Sequence, residues 1–181
     1  MSFIAISGKR RSGKSTLANL LYQKFGYYPV NLAGPLKRMC MEQFDLTHSQ
    51  VDGDLKEIKD ERYNKTPRQI MIQMGQFYRS IDPQFWVNRL MLSCSNPFKN
   101  YVVADLRFTN ELTRLKEEGA LLVRLERSEE LTGKYIEDES ENQLDNYKGW
   151  DLLVPADANK TLFDLTKVAD QIKERLVSGY H

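Results

Sequence analysis

The feature that most constrains this chain is a run flanked by glycines near its start, Gly8 to Thr16, which reads G-K-R-R-S-G-K-S-T. Its fixed positions fit the pattern G-x-x-x-x-G-K-S/T, in which glycines let the backbone curl so that successive N–H groups point at phosphate oxygens. An apolar run, Phe3 to Ile6, precedes the loop, and apolar residues at helical spacing follow it as far as Gly26. The order of strand, loop and helix predicts a phosphate-binding loop rather than a basic turn.

Each part of this loop has an expected contact with a bound nucleoside triphosphate. Lys14 is placed to reach the outer phosphates, and the hydroxyl of Ser15 is placed to ligate Mg²⁺. A helix that begins near Lys14 adds its uncapped N–H groups and its dipole to the site. The residues that we expect to form the nucleotide site are Gly8, Arg11, Ser12, Gly13, Lys14, Ser15 and Thr16.

Composition limits the number of domains, the partners and the cellular location that we expect for this protein. The chain has 181 residues, the size of one domain, and its 26 basic and 25 acidic residues leave a net charge of +1. So small a charge favours neither nucleic acid nor an anionic membrane as a partner. Cys40 and Cys94 lie in apolar segments without metal-ligand spacing, which favours buried thiols over a disulfide or a metal site. No run approaches the ~20 apolar residues of a membrane span and no signal-peptide layout is present, so we expect a cytoplasmic protein.

Strand and helix signals alternate along the chain, a pattern typical of a parallel sheet covered by helices. We therefore predict an α/β fold with a five-stranded parallel sheet flanked by helices. The predicted strands are Phe3–Ile6, Tyr28–Leu32, Tyr101–Asp105, Leu121–Leu125 and Asp151–Val154.

The helix starts are marked by capping and proline signals. Pro35 is expected to open one helix, Thr66 with Gln69 forms a capping box for a second, and Asp82 and Thr109 are expected to cap two more. The predicted apolar face of the helix that starts at Thr66 consists of Ile70, Met74 and Phe77. That of the helix that starts at Asp82 consists of Phe85, Trp86, Leu90 and Leu92. A final amphipathic helix spans Leu162 to Leu176.

Two polar stretches interrupt this alternation. The segment from Asp45 to Lys65 is predicted to be an exposed, mobile insertion, although Lys56 or Arg62 could reach a ligand on closure. The segment from Glu126 to Trp150 resembles a lid. Arg127 at its start is placed to bring a cation onto a transferred phosphoryl group, and the alternative is a surface ion pair with Glu129 or Glu130.

The third predicted strand ends in a carboxylate, Asp105, and an arginine follows at position 107. Ligands of open parallel sheets bind beyond the carboxyl ends of the strands, so Asp105 is expected beside the phosphate loop, where it can hold Mg²⁺ or its water shell. The alternative for Asp105 is a helix cap or a surface acid. Arg107 lies at the same edge, where its guanidinium can grip a phosphate through two hydrogen bonds at once.

Several sequence blocks together resemble a known family. The most specific are Leu32-Ala33-Gly34-Pro35-Leu36-Lys37, Asp82-Pro83-Gln84-Phe85-Trp86-Val87 and Asp105-Leu106-Arg107-Phe108-Thr109-Asn110-Glu111, which accompany the phosphate loop in the same order. With these blocks the chain resembles the deoxynucleoside monophosphate kinases of phages, including the T-even enzymes, within the P-loop kinase superfamily. The resemblance covers most of the chain.

This resemblance implies transfer of the γ-phosphoryl group of ATP to a nucleoside 5′-monophosphate, with Mg²⁺ as cofactor. It implies one P-loop kinase domain, 1–181, with a core of about 1–32, 98–125 and 151–181, an acceptor-binding region of about 33–97 and a lid of about 126–150. Lys14, Arg68, Arg107 and Arg127 are the expected catalytic cations, and Ser15 and Asp105 the expected metal ligands. The expected acceptor-binding residues are Lys37, Arg68, Gln73, Arg79, Trp86, Asp105 and Arg107, with Trp86 either walling the base or belonging only to the core.

The chain departs from the T-even pattern at three positions. Ser15 stands where those enzymes have Asp, Asp138 where they have His, and Ala156 where they have Asn in a loop that resembles the one holding the ATP base. The chain is also shorter between Phe44 and Thr66, where base specificity is expected to lie. Alternatives are another kinase of the same fold, such as a phosphomevalonate kinase or a kinase of modified bases in DNA, and a nucleotide-dependent switch without turnover. A homodimer is compatible with the sequence.

Overall fold

The structure is a computed structural model that describes residues 1–126, 142–159 and 161–179. The chain divides into two compact units, one formed by Met1–Val30 with Cys94–His181 and the other by Asn31–Ser93. The division into core, acceptor-binding region and lid stays a prediction. Within the described ranges the helices are α1 (Lys14–Phe25), α2 (Ala33–Gln43), α3 (His48–Val51), α4 (Pro67–Ile81), α5 (Phe85–Ser93), α6 (Thr109–Glu117) and α7 (Leu162–Val177).

The first unit contains a five-stranded sheet in the order β2-β3-β1-β4-β5. All four strand pairings are parallel. The strands are β1 (Phe3–Gly8), β2 (Tyr27–Val30), β3 (Asn100–Leu106), β4 (Leu121–Leu125) and β5 (Leu152–Val154). The predicted α/β fold with a parallel sheet flanked by helices is confirmed.

The central strand β1 is apolar along most of its length because it is buried on both faces. Ile4 and Ile6 belong to a core cluster with Leu17 and Leu21 of α1 and with α7, against which α1 packs. Burial of each such side chain contributes about 1.5–3 kcal/mol. This packing fixes α1 against the sheet directly after the loop at Gly8 to Thr16.

Helix α6 begins differently from the expectation. Thr109 was expected to cap it, but Thr109 is its first residue and Phe108 occupies the cap position in an extended conformation. A phenylalanine side chain has no acceptor, and the buried carboxylate of Glu111 instead accepts from the N–H groups of Arg107 at 3.2 Å and Phe108 at 3.1 Å. Glu111 therefore fixes the turn that carries Arg107 away from β3.

The segment at 45–65 is mostly exposed, as expected, but buried side chains attach it to the second unit, and its mobility stays a prediction. The segment forms α3 and a 3-10 turn, Asp54–Glu57. Leu46 and Val51 are buried in a cluster with Cys40, Ile70 and Met71. These two apolar side chains attach an otherwise polar segment to α2 and α4.

The chain after this 3-10 turn is held by a buried carboxylate, Asp60. Its two oxygens accept from Arg62 at 3.0 and 2.7 Å, and Gln50 donates to it at 2.9 Å. The hydrogen bonds from Arg62 lower the pKa of Asp60 to about 2. Asp60 thus remains ionised and links Gln50 of α3 to Arg62.

Helix α4 has the capping box that the sequence predicted, with Thr66 and Gln69 each bonded to the other's backbone N–H. Pro67 occupies the first turn, where its missing N–H needs no partner. The apolar faces are only partly as expected, because Phe77 and Leu92 are 55% and 68% exposed. Pro35 lies in the third position of α2 rather than at its start.

Candidate active site

The loop after β1 has the backbone conformation that its glycines permit. Gly8 and Gly13 have φ of 151° and 90°. A Cβ on Gly8 would lie 2.5 Å from the carbonyl oxygen of Leu125, and one on Gly13 would lie 3.0 Å from Leu165 Cδ1. Both positions favour glycine because of their positive φ, and at Gly8 the backbone of β4 leaves no room for a Cβ as well.

Helix α1 starts immediately after Gly13, and no side chain of the described residues caps it. Its first N–H groups and its dipole are thus directed into the curl of the loop. This is the arrangement with which helix N-termini bind phosphate.

The ammonium group of Lys14 lies within the same loop. Its Nζ donates to the carbonyl oxygens of Gly8 and Lys9, each at 2.7 Å. These carbonyls hold the cation at the start of the loop. The geometry fits the expected role of Lys14 on the outer phosphates of a nucleotide.

Sequence reasoning missed a set of polar contacts that braces the loop. They lie on the face of the sheet opposite to α1. Arg124 on β4 donates to Ser7 Oγ at 2.9 Å and to Asp145 Oδ1 at 2.5 Å. The other oxygen of Asp145 accepts from Lys9 Nζ at 2.7 Å, and Asn142 accepts from the same ammonium. The sign of these contacts in the sequence is Arg124, a charged residue inside the otherwise apolar run of β4. Arg124 is thus linked to the residues on both sides of Gly8.

The carboxyl end of β3 lies beside the loop, as expected from the parallel sheet. The sheet register places Ser7 opposite Leu106, so Asp105 and Arg107 flank the point where β1 leads into the loop. Both side chains are half-buried. No group of three or more His, Cys, Asp or Glu side chains able to hold a metal occurs in the described part of the chain. One carboxylate and one hydroxyl still suit Mg²⁺, which usually takes few protein ligands and completes its shell with phosphates and water.

The remaining expected site residues are placed as follows. Arg68 donates to Glu57 Oε1 at 2.5 Å, Lys37 donates to Asp52, Gln73 is exposed and Arg79 is half-buried, all in the second unit. Arg127 lies outside the described residues, as does Asp138. Trp86 belongs to the core of the second unit.

The two alternatives for Trp86 are a wall of the acceptor pocket and a place in the core. Its ring is 4% exposed and packs between Tyr78 and Phe85, and its Nε1 donates to the carbonyl oxygen of Gly75 at 3.1 Å. Because the ring is enclosed and its N–H has a partner, the geometry favours the core interpretation over a stacking role.

A cavity of about 480 Å³ opens beside the loop at the ends of β4 and β5. Lys9 and Arg124 line one part of it, and Tyr147, Trp150 and Ala156 line another. Glu126 and Asp145 line it as well, so the cavity combines charged groups of both signs with aromatic rings next to the loop.

The sheet order, the loop after the central strand and the helix that follows define a P-loop kinase fold. Dephospho-CoA kinase from Campylobacter jejuni matches 98% of this chain and 98% of its own, with a TM-score of 0.55 and 11% identity. The structure of TT1252 from Thermus thermophilus matches 96% of both chains, with a TM-score of 0.53 and 15% identity. At these identities the two structures show the fold alone.

Sequence comparison shows the family. The family model described as phosphomevalonate kinase matches residues 6–120, and the chain belongs to that family of P-loop kinases. A protein of Acanthamoeba polyphaga mimivirus, named "Putative deoxynucleotide monophosphate kinase", is 31% identical over 183 residues, which cover 90% of this chain and 91% of the relative. The resemblance to deoxynucleotide monophosphate kinases is thereby confirmed. Among the described residues no helix has the length and apolar character needed to cross a membrane.

Proposed function

We propose that this protein transfers the γ-phosphoryl group of ATP to the 5′-phosphate of a nucleoside monophosphate, with deoxynucleotides as the preferred acceptors. The observation that carries the proposal is the relationship to a protein named as such a kinase over 90% of the chain. The loop geometry around Lys14 supports the donor half of the reaction.

The reaction suits the residues that the chain offers. The second pKa of a phosphate monoester lies near ~6, so the acceptor is already anionic at neutral pH and needs no strong general base. His48, one of two histidines in the chain, lies on α3 and is largely exposed. Catalysis then depends on aligning two polyanions and neutralising their charge.

The donor half is assigned to the loop and the adjacent strand end. Lys14 exchanges the carbonyls of Gly8 and Lys9 for phosphate oxygens, and the first N–H groups of α1 hold the same phosphates. Ser15 and Asp105 would hold Mg²⁺, which neutralises charge on the β- and γ-phosphates when it is bound. Arg107 would bind phosphate through its guanidinium fork.

The acceptor half is assigned to Arg68 and Lys37, with Gln73 and Arg79 as further contacts. Arg127 would act from the lid. The proposed partners are therefore small molecules, and a cytoplasmic location and a homodimer remain predictions.

The test is ADP release with ATP and Mg²⁺ across a panel of ribo- and deoxynucleoside monophosphates, including methylated and hydroxymethylated pyrimidines. We expect acceptor-dependent release with one or more deoxynucleotides, slowed about 100-fold or more in Lys14→Ala protein. Release that is independent of any monophosphate, or its absence throughout the panel, would contradict the proposal.

A second candidate acceptor follows from the family model, whose description is phosphomevalonate kinase. Phosphomevalonate is also a phosphate monoester, so the same donor site and a cationic acceptor site would serve it. Adding phosphomevalonate to the panel separates the two candidates. A higher kcat/KM with phosphomevalonate than with every nucleotide would favour the second.

A further inference from the structure

Two cations assigned to the acceptor are already paired with carboxylates of one short segment. Arg68, in the first turn of α4, donates to Glu57, and Lys37, on α2, donates to Asp52. Asp52 directly follows α3, and Glu57 ends the 3-10 turn. Residues 52–57 therefore supply an anionic partner to both cations within the second unit.

Packing, and not only charge, holds this segment in place. Val51 is completely buried at the end of α3, which anchors the residues on its carboxyl side. Gly53 lets the chain pass close to α3, since a Cβ there would lie 2.9 Å from both Cα and the carbonyl oxygen of Ser49. The 3-10 turn that follows packs against α4. The two carboxylates are thus presented to Lys37 and Arg68 by a fixed piece of backbone.

Both ion pairs are weak enough to be displaced. The side chains of Arg68 and Glu57 are 29% and 56% exposed, and those of Lys37 and Asp52 are 25% and 38% exposed. Ion pairs that water reaches to this extent contribute little. A phosphate dianion carries more charge than a carboxylate and offers three acceptor oxygens, two of which match the guanidinium fork.

We propose that Asp52 and Glu57 compete with the phosphate of the acceptor for Lys37 and Arg68, and so determine which acceptors bind. A phosphate dianion displaces the carboxylates, whereas a neutral or singly charged group does not. The inference rests on the proposed function, because it takes Lys37 and Arg68 as acceptor-binding groups. It assigns a specificity role to the segment in which base specificity was expected.

The test compares Glu57→Gln and Asp52→Asn with Glu42→Gln, which removes an exposed carboxylate from α2. Each of the first two variants is expected to lower the acceptor KM, and the inhibition constant of inorganic phosphate against the acceptor, by about twofold to fivefold. The KM for ATP should not change, and Glu42→Gln should behave as the wild type. Inorganic phosphate should also raise the melting temperature of Glu57→Gln more than that of the wild type, at low ionic strength.

The outcomes separate this inference from the proposed function. If the wild type phosphorylates monophosphates but neither variant lowers the acceptor KM, competition by the carboxylates is overturned. If the wild type phosphorylates none, the proposed function fails, and the phosphate-dependent melting temperatures decide on the competition alone. Equal shifts in the wild type and Glu57→Gln would overturn it.

Discussion

Replacing Arg124 by methionine tests whether a buried arginine of β4 holds the phosphate loop in place. Methionine keeps much of the aliphatic stem but has no donor, so the change removes the hydrogen bonds to Ser7 and Asp145. Ser7 is 2% exposed, and a buried hydroxyl that loses its partner costs about 1–3 kcal/mol. Asp145 is exposed and still pairs with Lys9. Losing its ion pair with Arg124 therefore costs up to about 1 kcal/mol more. We expect the free energy of unfolding to fall by about 1–4 kcal/mol.

The assay is urea denaturation followed by tryptophan fluorescence, since the ring of Trp150 lies 5.8 Å from the guanidinium carbon of Arg124. Arg114→Met is the matched control. Arg114 pairs with Glu117 and Glu118 on the surface of α6, so its loss should cost under about 1 kcal/mol. A double-mutant cycle with Asp145→Asn should give a coupling energy of about 0.5–1 kcal/mol, because the two side chains are in direct contact.

The same substitution should weaken ATP binding, because Ser7 and Lys9 flank the glycine at which the loop begins. Arg124→Met protein with a free energy of unfolding within about 0.5 kcal/mol of the wild type would refute the proposed bracing. A coupling energy of zero with Asp145→Asn would refute the link through that carboxylate.

Three further substitutions have defined outcomes. Lys14→Ala should reduce turnover by about 100-fold or more, and near-normal kcat would remove the assignment. Gly8→Ala should destabilise the fold by about 2 kcal/mol or more in urea unfolding, because the new Cβ meets Leu125. The control Gly119→Ala should cost less, because Gly119 also has a positive φ but has open space around it. Asp60 has a pKa lowered from 3.8 to about 2, so its stabilising contribution is present above pH 4 and lost as the pH falls towards 2. Wild-type and Asp60→Asn urea midpoints should therefore differ at pH 7 and converge near pH 2; a constant difference would contradict this.

Local patterns account for what the sequence predicted of this fold. The predicted strand at Leu121–Leu125 has the observed bounds, and the capping box at Thr66 is present as expected. The predicted helix end at Gly26 is also observed, with φ of 72°. Each of these features is determined by residues that are close together in the sequence, so periodicity and capping chemistry are enough to find them.

The features that the sequence did not predict depend on contacts distant in the chain. The segment at 45–65 is polar on average, and its attachment rests on Leu46 and Val51 meeting a cluster that includes residues of α2 and α4. Average composition cannot show that two side chains in such a segment face one core. The contact of Arg124 with Asp145 spans 21 residues and has no periodic signature.

The position of Arg124 follows from strand register, which composition does not reveal. In the parallel pairing of β1 with β4, Ser7 lies opposite Arg124, and Ile6 lies opposite Val123. Because side chains alternate between faces, a slip of one residue would turn Arg124 towards the apolar cluster beneath α1. A guanidinium buried there without a partner costs several kcal/mol, so the slipped pairing is strongly disfavoured. The same arginine that links Ser7 to Asp145 therefore also helps to specify the register that brings the end of β1, and the loop after it, to the edge of the sheet where Asp105 lies.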